Sequence, residues 1–163
     1  MRSLILPSFL LMTACATAQA DELELPASIT FGENLDVMTP VFEDLCAGYI
    51  VRTLDPAELP IAELSHVQVD CQDFEHAGDG RLAEFVFADD RLAFIWVLTD
   101  ASEEAELRIA LESRFSSPTH DTPAFIAFAD DHIALRRDTP ELLYYSAEIA
   151  PMYRAWFDQM AAQ

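Results

Sequence analysis

The chain contains no lysine. Its nine basic residues are all arginine, set against 29 acidic ones, for a net charge of −20. A field of that sign repels phosphate backbones and anionic lipid, so nucleic acid and membrane surfaces are disfavoured as partners. Without lysine a Ser-x-x-Lys nucleophile is impossible, and no Gly-x-Ser-x-Gly elbow occurs. The four glycines form no phosphate-cradling loop. There is no Cys-x-x-Cys pair, and no two histidines have the spacing of a metal site. Beyond residue 20 the longest apolar run is Leu92 to Leu98, strand length and well short of the roughly 20 residues of a membrane helix. With no catalytic constellation in view, the chain reads as a non-enzyme without a cofactor.

What the chain does carry begins with its first twenty residues. Arg2 precedes an apolar run from Leu4 to Met12, and small residues follow, ending in Ala18-Gln19-Ala20. A charged start, an apolar middle and an Ala-x-Ala site are the layout of a secretory signal peptide. The reading is therefore a leader at 1–20 and one globular domain at 21–163, periplasmic or secreted. A second reading of the same stretch is a lipoprotein. Met12-Thr13-Ala14-Cys15 loosely resembles a lipobox, with Met12 where leucine is preferred, and Cys15 would then carry a lipid anchor.

Three cysteines are present, and Cys15 lies within the leader. Cys46 and Cys71 remain under either reading, and an even pair in an exported domain predicts a disulfide. The local pattern agrees. Val67, Val69 and Cys71 alternate with polar residues and share one face of a strand. Leu35, Met38, Phe42, Leu45 and Tyr49 recur at helical spacing, and Cys46 follows Phe42 by four.

The chain order predicts an α+β fold: a mostly antiparallel twisted sheet of five to six strands packed with three helices, in the order α-β-β-β-α-β-β-β-α. The lead-in at 21–33 includes a short strand at Ser28–Phe31. A helix runs from Leu35 to Val51 with Asn34 as N-cap, although Thr39-Pro40 would suit a later start. After a proline-containing loop from Thr53 to Leu64 comes a strand at Ser65–Gln72. A hairpin follows, Arg81–Ala88 and Arg91–Leu98, around Asp89-Asp90. In its second strand Leu92, Phe94, Trp96 and Leu98 fill one face, and Ala93, Ile95 and Val97 the other. A strand apolar on both sides must be covered on both sides. Asp100 and Glu103 have capping-box spacing ahead of a helix at Ala101–Phe115, whose stripe is Leu107, Leu111 and Phe115. Ser116 to Pro123 reads as a loop, then come a second hairpin, a strand at Leu142–Tyr145 and a last helix at Ala150–Ala161. The second hairpin repeats Phe87-Ala88-Asp89-Asp90 as Phe128-Ala129-Asp130-Asp131, either a trace of duplication or re-use of one turn.

Other features are candidates for chemistry. Asp73, Glu75, Asp79 and Glu84, with Gly78, fall in the register of a calcium-binding EF-hand loop. Ala77 stands where an oxygen donor belongs and the flanks read as strands, so a polar hairpin connection is the simpler reading. His66, His76, His120 and His132 read as solvated surface residues. Arg136-Arg137 reads as a source of local ion pairs. The last helix carries Met152, Tyr153, Trp156, Phe157 and Met160, residue types favoured at interfaces, so Met152, Tyr153, Trp156 and Phe157 are the candidate partner surface. The same stripe would serve as core cover. The functional expectation is an acidic, disulfide-stapled protein that binds another protein, as an inhibitor or accessory factor for a basic partner or as a homo-oligomer. The alternative is a periplasmic module for a small ligand or divalent cation. In outline the shape resembles beta-lactamase-inhibitor-like and cystatin-like domains, in architecture alone.

Overall fold

The computed structural model describes residues 23–162. The leader at 1–20 and the lipidation reading at Cys15 lie outside the described residues. Eleven elements follow one another. They are α1 (Leu35–Leu45), β1 (Gly48–Thr53), β2 (His66–His76), β3 (Asp79–Ala88), β4 (Arg91–Leu98), α2 (Glu104–Phe115), β5 (His120–Asp121), β6 (Phe125–Phe128), β7 (Ile133–Arg136), β8 (Glu141–Tyr145) and α3 (Ala150–Ala161). A single 3₁₀ turn, Ala101–Glu103, leads into α2. The fold is α+β, as the patterning predicts, but the sheet has eight strands rather than five or six.

All eight strands form one antiparallel sheet in the order β1-β2-β3-β4-β8-β7-β6-β5. Each half is a four-stranded meander preceded by a helix, and the two meanders join where β4 pairs with β8. On one face α1 and α2 cover Val69, Phe85, Ile95, Ile126, Leu135 and Leu142, with Phe42 and Leu111 reaching in from the helices. On the other, α3 and the loop at 59–62 cover Val86, Phe94, Phe125 and Tyr145, with Phe157 at the centre. The three-layer arrangement accounts for a β4 strand that is apolar throughout: a central strand has no solvent side.

Helix α1 begins where expected, with the Asn34 side chain accepting from Val37 N–H at 3.0 Å. It runs through Pro40 rather than starting near it. It ends at Leu45, six residues short of the expected Val51. Cys46 is already extended, and Tyr49-Ile50-Val51, an aromatic followed by two β-branched residues, pairs with β2 as a strand. The helical spacing of Tyr49 misleads because β1 returns it to the same core, where its ring lies 5.8 Å from that of Phe42. The second missed strand, β5, is only two residues long. The expected strand at Ser28–Phe31 is a turn-rich segment whose Ile29 and Phe31 pack on the core, and Gly32 there donates to Leu92 C=O at 2.9 Å.

The hairpin β3–β4 forms as expected, and Asp89 and Asp90 both take positive φ, the geometry of a two-residue hairpin turn. A bulge opposite Val86 and Phe87 then inserts Ala93 as an extra residue, so the two faces of β4 differ from simple alternation. Leu92 joins Ile95 and Val97 under α1 and α2, whereas Ala93 joins Phe94 and Trp96 beneath α3. The repeated tetrapeptide does not build the same turn twice. Phe128 pairs with Ile133 across a four-residue connection in which His132, not either aspartate, has positive φ. The copies lie at the ends of β3 and β6, which are not equivalent in the two meanders, and the re-use reading fits.

Cys46 and Cys71 form the expected disulfide, with Cα atoms 5.3 Å apart. It ties the C-cap of α1 to the middle of β2. Strand β2 continues past the expected Gln72 to His76, through a bulge at which Asp73 takes a φ of +59°. Asp73–Glu84 is thus a hairpin closed by Ala77-Gly78, not a calcium loop. Among the described residues no group of three or more His, Cys, Asp or Glu side chains is placed to hold a metal ion. No helix there is long and apolar enough to cross a membrane.

Candidate functional site

Helix α3 meets the sheet through Phe157, which is fully buried against Phe125 with ring centroids 4.8 Å apart. Tyr153 is half-buried and stacks at 4.6 Å on Tyr145. Those two of the four candidate partner residues serve mainly as core cover. The other two, Met152 and Trp156, keep about 40% of their surface exposed. With Leu59, Pro60, Ile61 and Phe94 they line an apolar cavity of about 250 Å³ between α3 and the loop before β2. The next notch along the helix is lined by Trp156 from above and by Trp96, Phe125, Leu143 and Arg136 from the sheet. The chain has two tryptophans, and both line this notch.

Helix α3 does not cover the whole of its face. Beyond Trp96 the sheet row continues through Glu84 and Asp70 to Ile50, each the direct cross-strand partner of the last. Asp70 is buried, ion-paired with Arg52 and hydrogen-bonded by Gln68 Nε2 at 2.8 Å. Glu84, directly opposite it, has its carboxyl pushed up by burial and by the Asp70 charge, eased by Arg52 and Gln68. Glu141 is likewise pushed up by burial, against the pull of Arg136, whose Nη1 donates to it at 2.8 Å. Arg136 also holds Asp138 at 2.6 Å and lies 5.7 Å from the Trp96 ring centroid. Asp70 and Glu141 are buried and paired with Arg52 and Arg136, whereas Glu84 is half-buried directly across from the half-buried Trp96, a carboxylate suited to a guanidinium or ammonium group. Sequence reading alone passes over this patch. Its trace is charge in mid-strand at Asp70 and Glu84, and at the start of β8 at Glu141, where a fully covered face would be apolar.

The histidines correct the sequence reading. His66 and His76 are buried, not solvated. His66 Nδ1 accepts from Glu58 N–H at 3.3 Å, and burial pushes its pKa down. His76 lies on Phe74 and under Tyr144, with Nε2 2.6 Å from the Tyr144 hydroxyl. That hydroxyl donates to Leu23 C=O at 2.9 Å, so it accepts from His76, which makes Nε2 the protonated nitrogen. Burial, helped by the Arg81 charge, lowers the His76 pKa to about 4. His120 sits at the sheet edge with Nε2 2.9 Å from Asp158. Arg136 and Arg137 make local ion pairs as expected, Arg137 with Glu104 and Asp121 at 2.8 and 2.9 Å.

The chain matches no known family model, no curated protein and no solved structure.

Proposed function

We propose that the protein works outside the cytoplasm, in the periplasm or secreted, and acts without catalysis by binding a basic protein as an inhibitor or accessory factor. Its docking surface is the notch of Trp96 and Trp156, with Met152 in the cavity next to it and the acidic sheet face beside it. The observation that carries this reading is that both tryptophans line one notch, Trp156 about 40% exposed and Trp96 half-buried, with Glu84 directly across from Trp96 and Glu141 bonded to Arg136 of the notch. Tryptophan is enriched among the residues that dominate binding energy. A surrounding field from a net charge of −20 steers a cationic partner toward it. The Cys46–Cys71 bridge supports the compartment, because disulfides persist where the surroundings are oxidising. The test is capture from a periplasmic extract across a salt series. A basic protein is retained at low salt, released as salt rises, and lost with Trp156→Ala. Trp156→Ala costs about 1–2 kcal/mol of stability because the ring is only partly buried, so the loss reports binding. Capture that ignores both salt and Trp156 rejects the reading.

The apolar cavity of about 250 Å³ favours a second reading, a module for a small ligand. An apolar probe that raises the melting temperature of the wild type, but not of a Met152→Glu variant, supports it. Melting that responds to calcium instead points to the divalent-cation form of that reading.

A further inference from the structure

The sheet ends in two unlike edges. At one, β5 is two residues long and its own His120 is engaged by Asp158 of α3. At the other, β1 is six residues long with five of them exposed. The bond from Leu54 N–H to His66 C=O, 2.9 Å, sets the parity of the β1–β2 ladder. Gly48, Ile50 and Arg52 turn their backbone groups toward β2, so those of Tyr49, Val51 and Thr53 point outward. Among the described residues no other strand or loop backbone bonds to them.

Exposed edges are normally guarded by charge, proline, a bulge or brevity. Strand β1 has no proline and pairs with β2 in unbroken register. Its one charge, Arg52, is engaged over the sheet face by Asp70. Ile50 and Val51 remain about half exposed on opposite faces. The strand therefore offers open hydrogen-bonding groups flanked by apolar side chains, the requirements of strand addition.

We infer that β1 accepts an extended, cationic segment of a partner protein as a ninth strand. The charge around the edge selects that occupant. Exposed Glu43 and Asp44 precede the strand, and exposed Asp55 and Glu58 follow it. Among the described residues no salt bridge neutralises Glu43, Asp44 or Asp55. A second copy of the chain would bring the same carboxylates and another −20 to the edge. A segment alternating apolar and basic residues sets its apolar side chains beside Tyr49 and Val51, and its charges within reach of the acids at both ends. This inference rests on the proposed function only for the cationic character of the partner, and it concerns a different surface.

The probe is a fluorescent octapeptide alternating lysine and valine, titrated by anisotropy at low salt. Its control is the same peptide methylated at every amide nitrogen, which keeps the charge and cannot pair as a strand. The wild type binds the first at least tenfold more tightly than the second. Val51→Pro, which removes an outward N–H and the Val51 side chain while leaving the β2-facing bonds in place, weakens binding of the first at least tenfold, and Trp156→Ala leaves it unchanged. Equal affinity for both peptides, or no binding, overturns the inference, and this comparison decides even where Val51→Pro fails to fold. Loss with Trp156→Ala and retention with Val51→Pro moves the binding to the α3 notch and also overturns it. A dimer in the ultracentrifuge that Val51→Pro dissolves identifies the occupant as a second copy and overturns it as well. Failure here leaves the salt-dependent, Trp156-dependent capture of the proposed function standing on its own test.

Discussion

Tyr144 and Tyr145 are neighbours in β8 with opposite hydrogen-bonding states. The Tyr144 hydroxyl, on the α1/α2 side, accepts from His76 and donates to Leu23 C=O. The Tyr145 hydroxyl, on the α3 side, is buried and has no hydrogen-bond partner among the described residues. Burial raises the pKa of both, that of Tyr145 to about 12. Tyr144→Phe strands a buried N–H and a buried carbonyl, and costs about 1–3 kcal/mol. Tyr145→Phe removes an unsatisfied hydroxyl and keeps the ring, so it is neutral or stabilises by up to about 1 kcal/mol. Urea unfolding of the two variants checks the contrast.

His76 makes stability fall in mild acid. Its folded pKa of about 4 lies below the ordinary 6.5, so the unfolded chain binds its proton first as pH drops. The contribution of the neutral ring is complete above pH 6.5 and is lost between there and about pH 4. The total is on the order of 3 kcal/mol, at 1.36 kcal/mol per pH unit. His76→Phe keeps the stacking on Phe74 and reduces the slope of the stability curve across that window, leaving the contribution of His66, whose pKa burial also lowers. Urea midpoints from pH 7 to 4 for both proteins read it directly.

The disulfide spans a separation of 25 residues. Closing such a loop stabilises by about 3.5 kcal/mol in the chain-entropy account. The double variant Cys46→Ala/Cys71→Ala is expected to lose about that much, and a reductant brings the wild type to the same urea midpoint. Because the bridge joins α1 to β2, hydrogen exchange speeds up first in α1.

Arg81 is buried, and its guanidinium reaches both oxygens of Glu103 at 2.7 and 3.0 Å. Glu103 also accepts from Asp100 N–H at 2.6 Å, closing the capping box ahead of α2. Glu103→Ala leaves the guanidinium buried without its main counter-charge and costs about 3–4 kcal/mol. The Arg108–Glu112 pair is formed at a similar 2.8 Å, but both side chains are over a third exposed. Glu112→Ala therefore changes stability by about 0.5 kcal/mol or less. Thermal melts of the two variants rank them.

The features legible in the chain are those set by close neighbours. The Asp100/Glu103 box, the Asp89-Asp90 turn and the Leu107/Leu111 stripe each depend on residues within a few positions of one another. Strand β1 was hidden because Tyr49 keeps helical spacing with Leu45, and the change at Cys46 comes from pairing with β2. Strand β5 is too short to carry a period. Of the candidate partner residues, Phe157 and Met152 have the same sequence credentials and different exposures, because only one of them faces Phe125.

By themselves, the residues determined an acidic α+β chain with two cysteines suited to pair and no catalytic motif. They did so because period, turn chemistry and charge are local quantities. Only the tertiary structure decided that β1 closes one edge of the sheet and that a bulge at Ala93 sorts the faces of β4. It also decided that His76 lies dry beneath Tyr144 and that both tryptophans line one notch beside Glu84. Each of these depends on which strands become neighbours, and a side chain's surroundings come from residues far away along the chain.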